Sequence, residues 1–180
     1  MWSQDLYQET ILFVAEAHKE QKVPGTDLPY LVHLSNVCME VMAALHFDSE
    51  RVNPDVCILC ALLHDSVEDT DVTAQLVKDK FGDAVATGVA ALTKNESLPK
   101  LESMQDSLAR IKAAGKAAGM VKMADRIVNL QAPPAYWPDK KIKVYQEEAR
   151  LIHSELKHFH KYLADRLAKK IEDYEIYIGE

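Results

Sequence analysis

The segment LLHDSVEDTD, residues 62–71, places four ionisable side chains, His64, Asp65, Glu68 and Asp69, at the end of the apolar run VCILCALL. His64 and Asp65 are adjacent, so one short stretch of backbone can aim an imidazole and a carboxylate at the same point. Glu68 lies four residues after His64, and Asp69 four after Asp65, so each pair shares a helix face for as long as the helix persists. Burying such groups is costly unless the charges are paired or a cation sits among them. His33 in PYLVHLSNV and Asp125 in VKMADRIVNL repeat the conflict. An aspartate beside Val121, Met123, Ile127, Val128 and Leu130 needs a cation, a strong hydrogen-bond network or an exposed face. Taken together, His33, His64, Asp65 and Asp125 form a mixed nitrogen and oxygen shell for one divalent cation. The chemistry such a shell supports is metal-assisted hydrolysis: the cation lowers the pKa of bound water and neutralises a substrate oxygen. Glu68 and Asp69, one turn away, then read as an acid/base pair that orients the water or carries its proton. A His-Asp dipeptide alone is common by chance, and it is the three separate segments that give it weight.

The elements that must bring those segments together are helices. Apolar residues recur at three- and four-residue intervals almost throughout, and no alternating strand pattern stands between turn signals. The pattern predicts helices at roughly 4–20, 31–46, 54–67, 72–81, 83–92, 99–114, 117–131, 139–159 and 161–177. Punctuation falls where it should, at VPGTDLP, Asn53-Pro54, Phe81-Gly82-Asp83 and APPAYWP. The fold class expected is all-α, a compact multi-helix bundle forming a single domain over residues 1–180. The C-terminal LADRLAKKIEDYEIY reads as an amphipathic helix docked on the rest.

Composition narrows the partners. A net charge of -7 speaks against a nucleic-acid polymer, whose binding normally needs a broad basic face. No stretch has the apolar length of a signal peptide core or a membrane span, so no membrane partner and a cytoplasmic location are expected. Cys57 and Cys60 make one C-x-x-C, but within an apolar helix, and with Cys38 they read as core packing rather than as a redox or zinc pair. Oligomeric state is not visible. Tyr136, Trp137 and the amphipathic last helix suit a homodimer and intramolecular packing equally.

The blocks AHKEQ, PYLVH, ALLHDSVEDT, FGDAVATGVAALTK and VKMADRIVNL, running in order from about residue 15 to 131, resemble the HD-domain phosphohydrolases. They are most similar to the hydrolase domain of the RelA/SpoT family and its small stand-alone alarmone hydrolases. The resemblance implies an HD-domain bundle with one Mn²⁺ on His33, His64, Asp65 and Asp125, and removal of the 3′-pyrophosphate from guanosine tetra- or pentaphosphate. Ligand chemistry alone leaves Fe²⁺ and Zn²⁺ open beside Mn²⁺.

Asn129, four residues after Asp125 and on the same helix face, is the best substrate contact that the resemblance carries over. Lys22 and Lys122 are the basic residues named with it, and Lys19, Lys94 and Arg126 lie in or near the same blocks. One helical step points Arg126 about 100° from Asp125, so it reads as a structural ion pair. For His18, a place near the site and a hydrogen-bonded structural role stand level. Asp165, in a second LADR without the asparagine, reads as a decoy, and His46, His153, His158 and His160 as surface or structural residues. Where the family carries paired basic residues, this chain has Gln21-Lys22-Val23-Pro24, so a guanine-stacking arginine is missing or is replaced by lysine, which lacks its planar face. That departure keeps two alternatives open: another nucleotide or phosphoester as substrate, and a metal-binding helical domain without turnover.

Overall fold

The helix Pro54–Leu63 (α3) lies at the centre because it has almost no polar face: Cys57 to Leu63 are all buried. Asn53 caps it, its side-chain oxygen accepting from the N–H of Asp55 at 2.9 Å and of Val56 at 3.4 Å, while Pro54 occupies the first turn where its missing N–H does no harm. Around it pack α1 (Gln4–Ala17), α2 (Leu31–Phe47), α6 (Asp83–Leu92) and α8 (Lys116–Asn129). The computed structural model describes residues 1–95 and 97–178, the side chains of residues 100 and 101 excepted. Among these there is no β-strand, only an isolated bridge between Lys22 and Pro29. The all-α expectation holds.

Between α3 and α6 run a single turn, α4 (Ser66–Asp69), and α5 (Ala74–Phe81), which Thr73 caps by accepting from Leu76 N–H at 3.1 Å. The helix α7 (Lys100–Ala114) turns into α8 at Gly115, whose φ of 97° is open to glycine and strained for any other residue. That tight corner makes α8 buried along nearly its whole length, from Ala118 to Ile127, and Lys122, Asp125 and Arg126 go inside with it. The last helices, α9 (Asp139–Leu156) and α10 (Lys161–Asp173), pack against α8 and each other. Leu163, Leu167 and Ile171 face inward, so the amphipathic C-terminal helix is docked on its own chain. No helix of the described residues is long and apolar enough to cross a membrane.

Several helices end earlier than their roughly drawn ranges. The one placed at 54–67 stops at Leu63, and Asp65 (φ -100°, ψ -4°) turns the chain before α4 begins. Helix periodicity cannot register that turn, because the apolar run ends there and Val67 is the one apolar residue before Val72. Likewise, the helix expected at 161–177 is α-helical only to Asp173 and finishes as a 3₁₀ turn, Tyr174–Tyr177.

Candidate metal centre and cavity

His33 sits in the first turn of α2, His64 at the end of α3, Asp65 in the turn that follows, and Asp125 near the end of α8. These elements are forced together by the apolar contacts of α2, α3 and α8, and the polar side chains occupy the end where the three meet. The two Nε2 atoms of His33 and His64 lie 3.3 Å apart. Asp65 Oδ2 stands 2.9 Å from His64 Nε2 and 3.6 Å from His33 Nε2, and Asp125 Oδ1 stands 3.6 Å from His33 Nε2 and 3.9 Å from His64 Nε2. One donor atom each from His33, His64 and Asp125 falls within 4.8 Å of the others. Donors on a common cation with bonds near ~2.1 Å stand about 3–4.3 Å apart, so the spacings fit one ion.

The bonds around these atoms fix which of them face the centre. The Ala61 carbonyl accepts from His64 Nδ1–H at 2.8 Å, which leaves Nε2 as the inward lone pair. Tyr30 Oη–H donates to Asp65 Oδ2. Lys122 Nζ donates to Asp125 Oδ2 at 3.1 Å and Asn129 Nδ2 to Asp125 Oδ1. Charge follows from this crowding. Burial pushes the His33 imidazole down, toward its neutral form. His64 is equally buried, but the Asp65 and Asp125 carboxylates outweigh that and carry it up to about 9. Burial works against the Asp65 and Asp125 charges too. His64 nevertheless holds Asp65 below the usual carboxylate range, and Lys122 together with His64 does the same for Asp125. A cation would take the place of the His64 proton, since a ligating imidazole must be neutral.

The centre opens into a cavity of about 630 Å³, large enough for a nucleotide. Lys94 and Asn95, beyond α6, lie on one side, and Trp137, Lys141 and Tyr145, at the start of α9 and just before it, lie on another. Arg126 also reaches the wall. Its guanidinium lies 4.1 Å from the Tyr145 ring centroid and 3.8 Å from a Glu148 oxygen, so it helps hold α9 to α8.

Glu68 and Asp69 lie where this cavity meets a second, shallower hollow. Their helical relation to His64 and Asp65 is looser than a continuous helix would make it, although the Asp65 carbonyl still accepts from Asp69 N–H at 2.8 Å. Glu68 is clamped from across the cavity: Lys94 N–H donates to Oε2 at 2.9 Å and Lys94 Nζ to Oε1. Asp69 accepts from Gln21 Nε2 at 2.9 Å through Oδ2. Partial burial, then the nearby Asp65 and Glu68 charges, push the Asp69 carboxyl up despite that bond.

The remaining sequence candidates divide. Asn129 and Lys122 reach the cavity, but their bonds there are to Asp125, which makes them supports of that carboxylate. Lys22 is exposed, pairs with Asp27 at 3.0 Å and lies outside the cavity lining. His18 is buried against the site, stacked on Tyr30 at 5.2 Å. Asp165 pairs with Lys161 on the exposed side of α10. His160 is buried at the start of α10 and bonds the Asp48 carbonyl at 3.0 Å, a structural role. Sequence reasoning passed over Tyr30 and Gln21, although Tyr30 stands three residues before His33 and Gln21 three after His18 in the AHKEQ block.

The HD domain family model matches residues 11–167. The chain is 34% identical over 146 residues to the guanosine-3′,5′-bis(diphosphate) 3′-pyrophosphohydrolase MESH1 of Danio rerio, covering 78% of each. Its identity to the Mus musculus protein of the same name is 29% over 166 residues, 89% of this chain and 90% of that one. A solved structure titled as a metazoan ortholog of SpoT that hydrolyzes ppGpp superposes with a TM-score of 0.81 over 96% of this chain and 97% of the other, at 24% identity, a likeness of fold.

Proposed function

The chain belongs to the HD domain family, and on that premise we propose that it is a guanosine-3′,5′-bis(diphosphate) 3′-pyrophosphohydrolase, a metal-dependent enzyme that releases pyrophosphate from guanosine tetra- and pentaphosphate. The observation that carries this reading is the meeting of His33 Nε2, His64 Nε2 and Asp125 Oδ1 within 4.8 Å, beside Asp65, at the edge of a nucleotide-sized cavity. A divalent cation held by these four residues, Mn²⁺ in our reading, supplies a Lewis acid for a phosphoryl oxygen and lowers the pKa of water there.

The rest of the chemistry falls to the chain's own groups. Asp69, whose carboxyl pKa is raised above its ordinary value by burial and so is a stronger base, takes the proton from the attacking water. Glu68, fixed by Lys94, orients that water. Lys94, exposed at the cavity edge, also brings a positive charge to the phosphates. Lys122 and Asn129 hold the Asp125 carboxylate in place, so substitutions there are read first through cation binding. The replacement of the family's arginine by Lys22, which points away to Asp27, puts recognition of the base on other parts of the cavity wall. A cytoplasmic location goes with this substrate.

A product assay decides the substrate. Purified protein with Mn²⁺ is given guanosine tetraphosphate, its pentaphosphate, phosphorylated adenosine relatives, cyclic nucleotides and deoxynucleoside triphosphates, and the products are separated by ion exchange. Pyrophosphate release from the two guanosine compounds is expected. Turnover of another member of the panel, with none of these two, would replace the reading by a different HD phosphohydrolase.

A further inference from the structure

Gln21 is held by its backbone before its side chain does anything: its N–H donates to the His18 carbonyl at 2.9 Å, and its own carbonyl accepts from Tyr30 N–H at 2.9 Å. The amide then reaches across 48 residues of sequence to donate from Nε2 to Asp69 Oδ2. Its other end, Oε1, meets His18 Nδ1. An amide oxygen can only accept, so His18 carries a hydrogen on Nδ1, and the ring's Nε2 faces the buried Ser66 hydroxyl at 3.3 Å. The His18 ring is itself pinned, buried and stacked on Tyr30, whose hydroxyl bonds Asp65.

We propose that Gln21 is a positioning residue for Asp69, its amide held at the oxygen end by His18 while the NH₂ end faces the carboxylate. A flipped amide would set its oxygen against the Asp69 carboxylate, so Asp69 fixes the sense of the amide and His18, with a hydrogen on Nδ1, locks the other end. The lock therefore presents a donor to Asp69 and occupies Oδ2, and Oδ1 is the oxygen left to take a proton. Through Tyr30, the same histidine ties the carboxylate on the cation to the carboxylate that moves the proton. This inference rests on the reading of Asp69 as proton carrier and adds to it the group that aims it.

Four variants of the full chain with saturating cation test it: Gln21→Ala, Gln21→Glu, Asp69→Asn and the Gln21→Ala/Asp69→Asn double. Pyrophosphate release is measured across pH, with cation content and thermal midpoint as controls. Gln21→Ala should lower kcat about tenfold or more while KM and cation content hold. The acid limb of kcat/KM should also move upward by about one pH unit, because a donor to the ionised carboxylate keeps its pKa down. Gln21→Glu, isosteric but without the donor, should be slower still. The double variant should be no slower than Asp69→Asn alone, since two groups acting as one do not add. If Asp69→Asn is slow but Gln21→Ala keeps its rate and its acid limb, loses cation, or adds fully to Asp69→Asn, Gln21 is not a positioning residue. An Asp69→Asn enzyme at full rate would instead remove Asp69 from the mechanism, and this inference with it.

Discussion

Replacing Tyr30 by phenylalanine removes one hydroxyl and leaves the ring between His18 and His33, at 5.2 and 5.0 Å from their centroids. The hydroxyl donates to Asp65 Oδ2, the same oxygen that stands 2.9 Å from His64 Nε2 and 3.6 Å from His33 Nε2. A hydrogen bond to a charged group is worth about 1.5–3 kcal/mol, which at ~1.4 kcal/mol per decade would correspond to roughly 10- to 150-fold in an equilibrium constant. The full amount is not expected in cation affinity, because the bond already exists before the cation arrives. What is lost is the aim of Oδ2 toward the two imidazoles, and groups that orient a ligand from behind typically change affinity about 10- to 100-fold. We expect about a tenfold rise in the Mn²⁺ concentration for half-maximal activity. Activity should recover once the cation saturates, and the thermal shift produced by Mn²⁺ should need correspondingly more of it. A midpoint within about twofold of the parent would refute the assignment of Asp65 as a ligand aimed by Tyr30, since ligand support of this kind does not come that cheaply.

Three other outcomes follow from the geometry. Glu68→Gln and Asp69→Asn should each cut kcat by about 10²- to 10⁴-fold while the purified protein keeps its cation, as read by elemental analysis; loss of the cation would turn them into ligand supports. Cys38, Cys57 and Cys60 are buried, and burial carries the Cys38 and Cys57 thiols up to about 12 and Cys60 up as well. Thiolate, the reactive form, is therefore scarce below that pH, so the native protein at pH 8 should resist an aromatic disulfide reagent that titrates all three thiols after unfolding. Rapid native labelling would revive the redox reading of the C-x-x-C. Finally, a Cβ at Gly119 would stand 2.5 Å from Phe159 Cδ2 and 2.8 Å from Cγ. Gly119→Val should thus overpack the contact beneath α8 and cost about 1–3 kcal/mol, seen as a lower denaturation midpoint; an unchanged midpoint would mean that Phe159 moves freely.

What could be read along the chain, and what could not, divides by range. The helices came from periodicity, since burying one stripe against neighbours dictates the spacing of Leu34, Val37 and Val41 or of Leu163 and Leu167 wherever the partners lie. The pairing of His33, His64 and Asp125 was legible for a related reason: a charge or imidazole placed where periodicity demands an apolar residue announces a partner inside the fold. The surface charges carry no such contradiction. Lys22, Lys94 and Lys122 look alike in sequence, yet Lys22 turns out to Asp27, Lys94 closes on Glu68 and Lys122 goes inside to Asp125. Each outcome is set by which loop or helix the fold brings opposite, 26 residues away for Lys94. The same holds for the break at Asp65. It lies in a run of polar residues where periodicity is silent, yet it sends Ser66 in to His18 while leaving Asp69 out to meet Gln21. His33, His64, Asp65 and Asp125 could thus be found from the cost of burying them, and Glu68 and Asp69 from standing one turn further on, whereas Tyr30 and Gln21 carried no such signal and were fixed by distances between segments remote in sequence.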